Sequence, residues 1–330
     1  MLSIRELRDR AAIRPVKRAV EDQLLDLPGV TAVDIGVKRR AGRCTGEQVI
    51  VVSVASKKPL PELSPEARVP ATIFGIGTDV IEERPVLQHI HRSPKEVVPR
   101  SRGKGTGTVR GGGGISPRRT VRMRPPAVPL PGGYRRIGTL GVLVTGNGVP
   151  MGLTTFDVAC LDDAWSVGDQ MTDPEAGRVC AGLARAALSA RVDAAAVTIT
   201  SGVDTAAEIA GIGQVTGMGN AHPGCRVRKT GYGTGLTAGV VTSVDATLRI
   251  DHGETLGVRV LREQIRIAAL GECYCGPGDS GAAVVDADGR VVGLHVAGVE
   301  DGSTGFACPI ADVLAELDAE LLLVPRRLSV

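Results

Sequence analysis

Aromatic residues make up only 2% of this 330-residue chain: three Phe, three Tyr and one Trp. Any core must therefore be built from Val, Ala, Leu and Ile. With 44 glycines for turns, that mixture suits many short strands better than long helices. No apolar run is long enough to span a bilayer, and Met1 to Asp26 alternates charged with apolar residues without a signal-type apolar core. The expectation is a soluble, cytoplasmic protein with no membrane partner. The seven cysteines are odd in number and lack paired metal-ligand spacing, and Cys273-Tyr274-Cys275 is too tight for a zinc knuckle. They read as buried small hydrophobes in a reducing compartment, and neither metal nor cofactor is expected. Histidine is scarce too: none of the five lies between His91 and His222.

Charge is small overall but uneven. Net charge is +3, yet Arg92 to Arg136 holds twelve Lys/Arg against one acid, Glu96. A basic segment of this kind can meet nucleic acid, but no aromatic stacking residue is interleaved before Tyr134. A solvated, flexible linker is the expectation, and nucleic acid is not an expected partner.

Leu7, Ala11, Val16, Val20 and Leu24 recur at helical spacing, predicting an amphipathic helix over residues 5–26 with a break at Pro15. Residues 30–38 and 48–54 read as a hairpin turning at Ala41-Gly42, the second strand apolar on both faces and hence central. After a Pro-containing crossover, residues 69–81 complete a small α+β domain over residues 1–90. Residues 91–133, rich in Gly, Pro and Arg and without periodicity, read as the linker. Residues 134–330 then carry short strands at regular spacing and a terminal amphipathic helix from Ala311 to Leu322, the pattern of a sandwich or barrel.

Within that region lies Gly276-Pro277-Gly278-Asp279-Ser280-Gly281-Ala282, a tight turn between two apolar strands. A serine among small residues in such a turn can lift its hydroxyl clear of the backbone and leave N–H groups free to hold an oxyanion. The same composition also makes an ordinary β-turn. Upstream stands Lys229-Thr-Gly-Tyr-Gly-Thr-Gly-Leu-Thr-Ala-Gly-Val240, which lacks the Gly-Lys-Ser/Thr of a phosphate loop.

Together the two stretches resemble the trypsin-like (chymotrypsin-fold) serine peptidases, in particular a bacterial type with a small N-terminal domain. The resemblance covers residues 135–322. It implies a mainly β fold of two six-stranded-type β-barrels with a C-terminal helix, preceded by the small α+β domain. It implies Ser280 as nucleophile, the Gly278 and Ser280 N–H groups as oxyanion hole, and Asp193, in Arg191-Val-Asp-Ala-Ala-Ala-Val197, as the orienting carboxylate. The family's Leu-(Ser/Thr)-x-x-His-Val stretch aligns with Leu153-Thr-Thr-Phe-Asp157-Val158, so Asp157 stands at the histidine position. Gly293-Leu-His295-Val-Ala-Gly298 is similar to the Gly-x-His stretch of glutamyl endopeptidases and of glutamine-preferring viral proteases. That likeness assigns His295, Gly298 and Tyr274 to the substrate pocket, with Glu or Gln before the scissile bond. A buried histidine with satisfied nitrogens remains the alternative for His295. His222 and His252, beside Gly or Pro, read as surface residues.

An aspartate has a pKa of about 3.9, far from the neutral value that suits a general base. If Asp157 and Asp193 are neighbours, repulsion and desolvation are expected to raise one pKa and leave a shared proton. Loss of the base costs on the order of 10⁶-fold in a serine peptidase. The expectation is a serine peptidase homologue with a polypeptide substrate or ligand, inactive or strongly impaired: a pseudoenzyme. One alternative is an active endopeptidase with Glu/Gln preference set by His295. Another is a binding module acting through the basic linker. Residues 1–90 are further expected to cover the cleft until the Arg/Gly segment is cut.

Overall fold

The computed structural model describes residues 3–40, 42–93, 108–125 and 127–323. Its C-terminal half closes into a ring. Strands Arg226–Gly231, Ala283–Asp286, Arg290–Gly298, Thr304–Pro309, Val258–Ala269 and Gly235–Asp251 hydrogen-bond in that order, and the last pairs back to the first. Closure removes the unpaired strand edges along that ring. Val227, Val241, Ile265, Ile267, Val284 and Val292 fill part of its interior.

A second sheet curls beside it, ordered Leu143–Gly146, Val149–Thr154, Asp193–Ile199, Val179–Leu188, Gln170–Thr172, Gly113–Pro117 and Gly132–Leu140. The Gly141 N–H bonds the Leu153 carbonyl and the Leu153 N–H bonds Val142, joining the sheet's two ends where the chain bends between strands. Leu140, Leu143, Phe156, Met171, Leu183 and Val197 form its core. Helix Ile310–Glu316 follows the last barrel strand. This is the expected mainly β, chymotrypsin-like fold with a C-terminal helix. That helix is shorter than the sequence suggests: the chain returns as strand Glu320–Leu321 against Leu143–Gly146. Among the described residues no helix is long and apolar enough to cross a membrane.

The leading segment builds onto the closed ring. Helix Ile4–Leu25 starts at a capping box between Ser3 and Glu6 and runs through Pro15 without the expected break. Pro15 removes one intrahelical bond, but contacts on both flanks hold the helix across it. Ile13, Val20 and Leu24 pack on Val33, Ile35, Ile50 and Val52. The charged flank docks on the barrel through the Arg14–Asp245 and Arg262–Glu21 ion pairs and the hydrogen bond of Lys17 to Thr247. Strands Val30–Arg40 and Arg43–Val54 form the hairpin, with Val33 opposite Val52. The second strand lies between the first and the parallel strand Ile76–Glu82, as its two apolar faces require. Ala32 and Val33 pair with Leu248 and Thr247 of the barrel, so the hairpin extends the barrel sheet.

The stretch read as a linker differs from that expectation. Residues 94–107 of it lie outside the described residues. From residue 108 onward it contributes strands Val109–Gly111, Gly113–Pro117 and Val121–Met123, with Ile115 fully buried. Its glycines admit close approach: a Cβ on Gly114 would lie 2.7 Å from the Tyr232 ring and from Pro174, and one on Gly111 would lie 2.3 Å from the Gly141 carbonyl.

Two short strands position the site. Val86–Leu87 pairs with the C-terminal barrel, Leu87 opposite Ala297 and Val86 opposite Gly298. Ile90–Arg92 pairs with the other sheet, Ile90 opposite Ile137 and Arg92 opposite Arg135. Gln88 and His89 bridge the cleft between them.

Candidate active site

The Gly276–Ala282 turn is wrapped around the side chain of Asp279. That buried carboxylate accepts the N–H groups of Gly276, Gly233 and Thr234, the Thr234 hydroxyl at 2.7 Å and the Lys229 ammonium. The Lys229 to Gly235 stretch and the serine turn thus form one unit. Its glycines are required: a Cβ on Gly231 would sit 2.1 Å from Asp279 Oδ1, and one on Gly233 1.9 Å from the Pro277 carbonyl. Gly278 and Gly281, at φ +99 and +96, bend the turn so that its N–H groups face outward.

Those N–H groups have a common partner. Gly278 and Ser280 donate to the carbonyl oxygen of Gln88, at 2.6 and 3.2 Å. The Gln88 N–H in turn donates to Ser280 Oγ at 3.0 Å, and that hydroxyl donates to the Val296 carbonyl at 3.2 Å. Gln88 sends its side chain into a buried pocket, where Oε1 accepts the Nε2–H of His295 at 2.7 Å. Gly298 is the pocket wall: a Cβ there would lie 2.4 Å from Gln88 Nε2 and from Cys275 Sγ. Tyr274 stands behind His295, ring centroids 6.0 Å apart, with Lys229 Nζ 5.1 Å from its ring centroid.

Asp157 lies in the first turn of the short helix Phe156–Cys160 and donates its backbone N–H to Asp193 Oδ1 at 3.2 Å. Its carboxylate bonds Arg136 Nη1 at 2.7 Å and His89 Nδ1 at 2.6 Å. Asp193 Oδ2 bonds His252 Nε2 at 2.8 Å. The two aspartates are adjacent, but their carboxylates bond different partners rather than each other. Burial pushes Asp157 upward, and its contacts with His89 and Arg136 outweigh that and hold the carboxyl below its ordinary range. The correction has a plain cause: each carboxylate has its own cationic or imidazole partner.

Ser280, Gly278, His295 and Gly298 therefore converge on one residue, Gln88, with Tyr274 as backing, while Asp157 and Asp193 meet on the other side. The two hydrogen bonds of the Ser280 hydroxyl go to Gln88 and Val296, and neither is to a histidine. Sequence reasoning missed four residues here. Arg136 was assigned to the basic segment, although period-two alternation from Tyr134 to Leu140 already turned it inward. His252 was read as surface but is buried on Asp193, whereas His222 is exposed. Gln88 and His89 carry no signal beyond a polar pair between the apolar Val86-Leu87 and Ile90. Of the seven cysteines, all free, Cys160, Cys180, Cys275 and Cys308 are buried as expected, while Cys44 and Cys273 are exposed.

No protein-family model matches the chain, and no curated protein does. Solved structures do. One is a glutamic-acid-specific serine protease that utilizes a histidine triad in substrate binding, 21% identical, with a TM-score of 0.49 over 65% of this chain and 100% of that one. Nocardiopsis protease is 20% identical, with a TM-score of 0.48 over 65% and 98%. Thermobifida fusca protease A is 21% identical, with a TM-score of 0.48 over 66% and 100%.

The buried imidazoles make stability pH-dependent. Burial, then His89 and Arg136, push His91 down to about 3, and burial with nearby Lys229 pushes His295 far below its ordinary value. The unfolded chain protonates both at about 6.5. Their stabilisation is thus complete above that pH and is lost as pH falls toward 3, by up to about 1.4 kcal/mol per pH unit per site. His252 runs the other way: burial lowers it, but Asp193 prevails and raises it. Its contribution is full below about 6.5 and fades as pH rises through its raised value. Urea midpoints should fall between pH 6.5 and 4.5, less steeply in His91→Asn. A flat profile would contradict neutral burial.

Proposed function

We propose that the cleft between the two barrels is a serine-peptidase-type polypeptide site with Ser280 as nucleophile and Asp193 as the orienting carboxylate. Gly278 and Ser280 supply the oxyanion hole. Asp157 stands where the general-base histidine belongs, so turnover of external peptides is strongly impaired. The observation that carries this reading is the Gln88 carbonyl held by the Gly278 and Ser280 N–H groups, the arrangement an acyl-transfer site uses for a scissile carbonyl. Impairment follows from the chemistry of Asp157: an ion-paired carboxylate with a lowered pKa is a poor acceptor for a serine proton.

The pocket is proposed to take glutamine in preference to glutamate. His295 is neutral, so its one N–H matches the Gln88 amide oxygen, whereas a carboxylate there would be buried beside an uncharged ring. A fluorophosphonate probe tests the site. Slow labelling confined to Ser280 and absent in Ser280→Ala is expected. Rapid labelling of the unmodified chain would overturn the impairment, and equal labelling of Ser280→Ala would remove Ser280 from its role.

A further inference from the structure

Residues 86–92 lie in the cleft as a peptide substrate would. Val86-Leu87 adds a strand to Gly298-Ala297, Gln88 fills the pocket and presents its carbonyl to the N–H pair, and Ile90–Arg92 leaves along the opposite barrel. The residue after that carbonyl is a histidine, and it sits on Asp157. An ionised carboxylate can only accept, so His89 Nδ1 donates to Asp157, and in the neutral ring Nε2 is the nitrogen able to take a proton. That is the tautomer a triad carboxylate imposes on its base.

We propose that the chain cleaves itself between Gln88 and His89, and that His89, the residue on the leaving side of the scissile bond, supplies the general base that position 157 lacks. The proposal rests on the reading of Ser280 and its cleft given above. In the resting structure the Ser280 hydroxyl donates to Val296, and a χ1 rotation turns Oγ toward the Gln88 carbonyl carbon. As Oγ forms its bond to that carbon, its proton passes to His89 Nε2. The carbonyl electron pair moves onto the oxygen held by Gly278 and Ser280. When the carbonyl re-forms, the Gln88–His89 C–N bond breaks, and the His89 nitrogen leaves as an amine carrying that proton. Water then adds to the Gln88 ester on Ser280, restoring the hydroxyl and releasing a Gln88 carboxylate. One peptide bond and one water become one carboxylate and one new amino terminus. The base belongs to the substrate, so the reaction is a single self-processing event. External peptides would be cut only where histidine follows glutamine.

The two fragments should stay together, because the hairpin remains paired with the barrel at Ala32–Leu248 and the helix keeps its ion pairs. The test is denaturing mass spectrometry and amino-terminal sequencing of the purified full-length chain over days. Fragments ending at Gln88 and beginning at His89 are expected, absent in Ser280→Ala and slowed on the order of 10³-fold or more in His89→Ala. A base supplied at position 157 should replace the missing one, so the double variant His89→Ala, Asp157→His should cleave again after Gln88. If the unmodified chain stays whole while the double variant cuts, the role of His89 is overturned and the reading of the cleft stands. If the double variant also stays whole and takes no fluorophosphonate at position 280, that reading falls with it.

Discussion

Asp157→His is expected to raise fluorophosphonate labelling of Ser280 on the order of 10³-fold, the range a positioned general base supplies. The backbone of Asp157 is fixed by its N–H bond to Asp193 and by its place in the first turn of the helix, so an imidazole there would start beside Asp193, the proposed orienting carboxylate. The gain comes with a loss of stability. Arg136, only 8% exposed, would lose its carboxylate partner, and breaking one side of a buried pair costs about 3–5 kcal/mol. The lower end applies, because Arg136 Nη1 keeps the carbonyls of Asp157 and Leu161 as acceptors. Labelling rate and urea midpoint should therefore move in opposite directions. A folded variant with no gain in labelling would contradict the placement of residue 157 at the base position.

Asp279→Ala should be the most damaging single change near the turn. It leaves the Lys229 ammonium, with no exposed surface, without its counter-charge and strips three backbone N–H groups of their acceptor. A loss of about 3–5 kcal/mol is expected, together with loss of Ser280 labelling. Lys229→Met should cost less, since Asp279 keeps four hydrogen bonds and the apolar side chain suits the space against Tyr274. Denaturant midpoints of the two variants measure this asymmetry, and equal losses would contradict the central place given to Asp279.

These two residues also mark where the fold could be read from the sequence. Gly231, Gly233, Gly278 and Gly281 are required by close approach or positive φ, and such requirements are local enough to leave a pattern in the chain. The Val30–Val54 hairpin was legible for a similar reason, its alternation matching its faces. Composition misled at residues 108–133, where glycine serves contact and not flexibility. The partners of the two aspartates were beyond reach. His89 and His252 arrive from segments 68 and 59 residues away, and nothing in their own neighbourhoods records that journey. Gln88 was hidden because its role is defined by the cleft it enters, 192 residues from Ser280 in sequence.

The central claim is that the cleft is a peptide site occupied by the chain's own Gln88. A crystal structure of the full-length Ser280→Ala variant, which lacks the proposed nucleophile, tests it most directly. The account predicts the Gln88 carbonyl within hydrogen-bond distance of the N–H groups at positions 278 and 280, with its side chain on His295 Nε2. Residues 86–92 packed elsewhere, leaving those N–H groups to solvent, would contradict it.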